Sequence, residues 1–214
     1  MSSAREDMLA RIRVALGNPE RSAVRQAELD HELAVPRVGP QPRLGGDPTS
    51  VFLAKADANL FTVERITSVQ MLVRAVQALL PQEAEPDISV APALRDLGWP
   101  GDWTVNFGPA RRVEMVSVTP AFAGIAETGS VVLLSAPSSP TTLNFLPDLH
   151  VVLLREADIV AHPEDAWARL RASGGDWPRA VNVIAGPSRT AAVGGVIVRP
   201  AHGPKSVHLV LCDT

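Results

Sequence analysis

The sequence predicts an α/β fold: a mainly parallel open sheet flanked by helices, preceded by an N-terminal helix and a Pro-rich arm. Two observations predict the sheet. The runs at 88–91, 113–118, 130–134, 150–154, 181–185 and 207–211 are short and rich in Val, Leu and Ile, several too uniformly apolar for a sheet with one wet face. Helical stretches alternate with them. Val69, Leu72, Val73, Val76, Leu79 and Leu80 recur at helical spacing after Thr67-Ser68 and stop at Pro81, and further candidates lie at 93–97, 122–126 and 164–172. Strands separated by helices join in parallel.

A third observation predicts the leader. Ser3-Ala4-Arg5-Glu6 fits a capping box, followed by Met8, Leu9, Ile12 and Leu16 at helical spacing and by Gly17 as a stop. From Asn18 to Ser50 the composition shifts to Pro, Gly, Arg and Gln, and the repeated prolines of Val35-Pro36-Arg37-Val38-Gly39-Pro40-Gln41-Pro42 deny regular pairing. We therefore expect residues 1–50 to be a helix and arm, and residues 51–214 to be the α/β domain.

Composition excludes several classes. Of the 214 residues 46% are hydrophobic and 20% charged, enough apolar matter for a substantial core. The net charge is −3 and the 20 Lys and Arg are scattered, so no nucleic-acid partner is expected. No apolar run reaches the roughly 18 residues of a membrane span, and the N-terminus lacks the apolar core of a signal peptide, so the expected location is the cytoplasm. The single cysteine, Cys212, adjoins the run Val207-His208-Leu209-Val210-Leu211; it cannot form a disulfide within the chain or hold an iron–sulfur cluster alone.

Open α/β sheets usually bind ligands beyond the carboxyl ends of their strands, which directs attention to the loops after strands. Ala126-Glu127-Thr128-Gly129-Ser130 sets a carboxylate beside a flexible Gly and two hydroxyls; Glu127 suits a nucleophile or a base, or alternatively a helix cap or an Arg partner. Gly186-Pro187-Ser188-Arg189-Thr190 follows the run at 181–185. Its backbone amides, the Ser188 and Thr190 hydroxyls and a bidentate Arg189 could hold a carboxylate or phosphate; the alternative is an ordinary turn. Ala201-His202-Gly203-Pro204-Lys205 precedes the last run, with His202 able to move a proton near neutral pH and Lys205 adding positive charge. His150 reads as structural. GxGxxG, GxxxxGK[ST], HExxH, CxxC and GxSxG are all absent, which leaves no dinucleotide, P-loop, zinc or nucleophile-elbow signature.

Taken in order, Ala-Glu-Thr-Gly-Ser (126–130), Gly-Pro-Ser-Arg-Thr (186–190) and His-Gly-Pro (202–204) resemble the lactate utilization protein C family, or LUD domain. Leu146-Pro147-Asp148-Leu149-His150-Val151 is similar to a further family segment, in which a Pro and a His introduce a strand. The family's usual Ala-Asp-Ile-Glu after the second motif is here Ala191-Ala192-Val193-Gly194. The resemblance implies a fold shared with sugar-phosphate isomerases and family I CoA transferases. It also implies a role in oxidising L-lactate to pyruvate as a subunit without a cofactor of its own, iron–sulfur clusters being expected in partner subunits. The site so implied has Glu127 and His202 as catalytic groups, with Thr128, Gly129, Ser188, Arg189, Thr190 and Lys205 binding a small carboxylate substrate. The Glu127-Thr128-Gly129 triplet also resembles the Glu-x-Gly of CoA transferases, which makes a stand-alone transferase or isomerase the alternative, beside a non-catalytic assembly subunit.

Overall fold

A computed structural model describes residues 4–16, 23–35, 38–81, 86–111, 115–191, 197–198 and 203–213. The chain divides into two compact units, Met1–Gln41 and Pro42–Thr214. The first contains helices α1 (Ala4–Ala15) and α2 (Ala23–Ala34), neither of which buries a residue. The capping residue Ser3 and the stop Gly17 lie outside the described residues. Helix α2 falls where an irregular arm was expected. The prolines flank it, whereas residues 23–34 contain neither Pro nor Gly and are dominated by Ala, Glu, Leu, Arg and Gln, all good helix formers. An ion pair from Arg25 to Glu28 and a hydrogen bond from Gln26 to Asp30 support its exposed surface.

The second unit begins with α3 (Pro48–Ala58). Asp47 caps it, accepting the Ser50 backbone N–H at 3.0 Å, and Pro48 occupies the first turn, where its missing N–H is not needed. There follow β1 (Thr62–Ile66), α4 (Leu72–Leu79), β2 (Asp87–Val90), β3 (Thr104–Phe107), β4 (Val116–Pro120), β5 (Ala123–Ile125), β6 (Ser130–Leu134), β7 (Leu149–Arg155), β8 (Ile159–Val160), α5 (Pro163–Ala172), β9 (Val181–Ile184), β10 (Thr190–Ala191), β11 (Ile197–Val198) and β12 (Ser206–Cys212). Short 3₁₀ turns at Val69–Met71, Pro92–Leu97, Thr141–Asn144 and Glu156–Asp158 connect them.

Six strands form a wholly parallel sheet in the order β1-β12-β7-β4-β2-β3. Alternate residues of each strand serve different cores. Val151 and Leu153 of β7 join Val118, Val210 and Leu72 under α4, while Val152 and Leu154 join Phe52 and Ala56 of α3 and Leu133 of β6. Burial on both faces explains why these strands read as unbroken apolar runs. A second, mixed sheet of order β8-β5-β6-β9 lies over the α3 side. Its strand β5 occupies the segment expected to be helical at 122–126. A five-residue apolar run has no decisive periodicity, and its pairing with β6 across the turn at 126–129 settles the conformation.

Polar groups buried in the parallel sheet include Ser117, Thr119 and His150. His150 is fully buried on β7, its Nε2 2.7 Å from Thr119 Oγ1, and burial pushes its pKa down from 6.5 to about 3. The folded state thus binds fewer protons than the unfolded one below pH 6.5. Stability should hold above that pH and fall on acidification by up to about 1.4 kcal/mol per pH unit from this group. His208, also lowered by burial and opposed by Glu64, adds to the same trend. Urea denaturation at about pH 7.5 and about pH 4.5 should show His150→Gln with a shallower acid loss than the wild type; equal losses would contradict the assignment.

Candidate functional site

The motifs singled out in the sequence meet around the C-terminal end of α3. The Asn59 side-chain amide donates to the carbonyl oxygens of Thr128 at 2.8 Å and Gly129 at 3.2 Å. Its backbone carbonyl faces Gly186 so closely that a Cβ there would stand 2.0 Å from the Asn59 oxygen. At Gly129 a Cβ would stand 2.4 Å from Lys55 Cβ and 2.5 Å from the Lys55 carbonyl carbon. Both glycines have positive φ, +62° and +94°. The third motif docks on the second, because Ser188 N–H donates to the Pro204 carbonyl at 3.0 Å and a Cβ on Gly203 would lie 3.3 Å from Ser188 Cβ.

This locus sits at the amino ends of β1, β12 and β7, not at the carboxyl ends where the sheet rule pointed. The loops next to the parallel sheet precede those strands, while the turn at Thr128–Gly129 follows β5 and the Gly186–Ser188 turn follows β9, both of the smaller sheet. Between them lies a cavity of about 220 Å³, lined by Asn144, Phe145, Ile184, Gly186, Ser188, Pro204 and Val207 among others. Drug-sized ligand sites span ~300–1,000 Å³, so this one suits a small metabolite. Asn144 closes the 3₁₀ turn Thr141–Asn144 and is 3% exposed. Its Oδ1 has no hydrogen-bond partner among the described residues. Behind the wall, Val207 neighbours His150 in register, and Ser117 Oγ donates to the Leu143 carbonyl at 2.6 Å, fixing the turn that carries Asn144.

The expected single pocket of Glu127, Ser188, Arg189 and His202 is not what the described residues form. Ser188 lines the cavity. Arg189 is exposed, with Nη2 3.6 Å from the position of a Cβ on Gly186, and has no ion-pair partner among the described residues. Lys205 lies off the cavity, its Nζ 2.7 Å from Asp148 Oδ2. Thr190 opens β10, while His202, Ala192 and Gly194 lie outside the described residues. Glu127 stands apart on the β5–β6 turn: Oε2 lies 2.8 Å from His162 Nδ1, with the two side chains 27% and 14% exposed. Thr128, its neighbour, lines a different cavity. The β5–β6 hairpin and α3 hold these groups on another face of the smaller sheet.

Three residues escaped the sequence reading. Asn59 follows α3 as a C-cap, and His162-Pro163-Glu164-Asp165 is a helix start with Pro at its first turn and an acid that accepts the His162 N–H at 2.9 Å. Those signals mark helix ends, not a site. Asn144 carries no periodic signal at all.

Residues 115–212 match the LUD domain. Over that segment the chain is similar to the LUD-domain family. It is 30% identical over 147 residues to lactate utilization protein C of Geobacillus thermodenitrificans (strain NG80-2), covering 62% of this chain and 60% of that one. It is 33% identical over 118 residues to the uncharacterized protein YkgG of Escherichia coli (strain K12), covering 53% and 51%. The chain thus spans about half the length of the curated relatives it matches. A DUF162 family protein from Deinococcus radiodurans superposes with a TM-score of 0.51 at 18% identity, over 77% of this chain and 98% of that one, which shows a shared fold. Among the described residues, no group of three His, Cys, Asp or Glu is placed to hold a metal ion, and no helix is long and apolar enough to cross a membrane.

The glycine contacts are testable. Gly129→Ala and Gly186→Ala combine left-handed strain of about 1–2 kcal/mol with collision against α3 backbone, and should each lose more than about 3 kcal/mol in chemical denaturation. Gly98→Ala, at φ +74° with open space around it, should lose only the strain. Equal losses at all three would refute the close approach.

Proposed function

We propose that this chain acts in lactate utilization, holding L-lactate in the cavity bounded by Asn144, Gly186, Ser188 and Pro204. The observation that carries this is the orphan Asn144 Oδ1, a buried acceptor at the one place where the Gly-Pro-Ser-Arg and Gly-Pro motifs touch. A buried acceptor left unpaired is costly, and a ligand hydroxyl supplies the missing donor. The names of the relatives supply the acid: a hydroxy acid of lactate's size offers that hydroxyl beside a carboxylate. Arg189, next to Gly186 and unpaired among the described residues, takes the carboxylate.

Oxidation of L-lactate to pyruvate releases two electrons and two protons. In this proposal the electrons pass to iron–sulfur partner subunits, since the lone Cys212 is buried in the core under α4, and the chain works in the cytoplasm. His202, two residues before Pro204, takes the hydroxyl proton, and the Cα hydrogen leaves as a proton to solvent while the two electrons go to the partners. Glu127, engaged with His162 outside this cavity, takes no part.

Calorimetric titration tests the proposal without the partners. L-lactate should bind at least about tenfold more tightly than propionate, which lacks the hydroxyl, and Asn144→Leu should abolish the difference. Equal binding of the two acids by the wild type would overturn it.

A further inference from the structure

A second cavity, of about 250 Å³, lies between α5 and the smaller sheet. Its walls include Phe122, Val132, Trp167, Leu170, Val181 and Val183. Trp167 and Val183 are 38% and 54% exposed, so large apolar side chains stand open to water at its rim. Phe122 is held in the wall by Arg169, whose guanidinium lies 5.3 Å from the ring centre and is itself paired with Asp158. Among the described residues, no charged side chain lines the cavity.

One end is polar. Thr128 and Ser130 both line it, their hydroxyl oxygens lie 2.6 Å apart, and Ser130 is 1% exposed. Two hydroxyls carry two protons, and the bond between them uses one. The accepting hydroxyl therefore has an O–H with no acceptor among the described residues. A ligand completes this end by bringing an oxygen that accepts. An anion fits poorly, because no cation lines the walls and the Glu127 carboxylate is the next residue along the chain.

We infer that this cavity binds a neutral carbonyl compound with a compact apolar body, such as a short aliphatic or aryl ketone or ester, its carbonyl oxygen accepting from the Thr128–Ser130 hydroxyl pair and its body packing against Trp167. The cavity adjoins the Asn144 cavity, with Val183 and Ala185 in the walls of both, but the Thr128–Ser130 hydroxyl end belongs to it alone, so lactate binding neither supports nor opposes the inference.

The test uses the intact chain and three probes of similar size: 2-heptanone, hexanoate and heptane. Trp167 fluorescence reports occupancy, and Trp167→Phe identifies its share of the signal. The ketone should bind saturably, several-fold to about tenfold more tightly than either of the others, and Thr128→Val combined with Ser130→Ala should reduce its affinity to that of the hydrocarbon. Because Thr128 is exposed, Thr128→Ser, which keeps the hydroxyl, serves as the folded control and should retain ketone binding. Hexanoate binding as tightly as the ketone, ketone and heptane binding alike, or no saturable response from any probe would each overturn the inference.

Discussion

The architecture depends on the bare backbone contact between the C-terminal end of α3 and two glycine turns. A helix carbonyl at Asn59 and the backbone at Lys55 and Ala56 touch Gly186 and Gly129 at distances that leave no room for a methyl group. That contact fixes the β5–β6 hairpin and the turn after β9 to one helix end, and with them every motif that distinguishes the chain. It also carries strain: Leu60, in the turn from α3 to β1, has φ +69°, a conformation that costs a branched side chain about 1–2 kcal/mol. The surrounding packing bears that cost. Phe52 and Ala56 are fully buried between the two sheets, and Phe61 N–H bonds back to the Ala56 carbonyl at 3.0 Å.

From this hub the functional geometry follows. The parallel sheet supplies three adjacent strand beginnings, and the smaller sheet supplies two turns that reach over them. The result is two adjoining cavities of different character, sharing Val183 and Ala185 at the end of β9. One is small, with a buried amide oxygen and a backbone-lined rim; the other is apolar with a hydroxyl pair at its end. Glu127 and Ser188 were expected in one pocket because their motifs, taken together and in order, resemble those of one family. They share a support, not a cavity.

Much of the fold was legible because the core strands are buried on both faces, so residues 130–134 and 207–211 announce themselves by composition alone. The stripe at 69–80 was equally plain, since Leu72 and Val76 must face one core. What stayed hidden depended on long-range pairing. Thr62–Ile66 has only two apolar residues in five and no period of two, and becomes a strand through its register with β12. Residues 123–125 become strand through β6. At the site, the glycine motifs were visible as loops, but their partner Asn59 lies 69 residues from Thr128 and belongs to no motif. Asn144 is conspicuous only once burial shows that its oxygen lacks a donor.

The most direct measurement is a crystal structure of the chain grown with saturating L-lactate. The account predicts the acid in the cavity beside Ser188 and Pro204, its hydroxyl within hydrogen-bonding distance of Asn144 Oδ1 and its carboxylate toward Arg189. Lactate bound elsewhere, or that cavity holding only water bonded to Asn144, would contradict it.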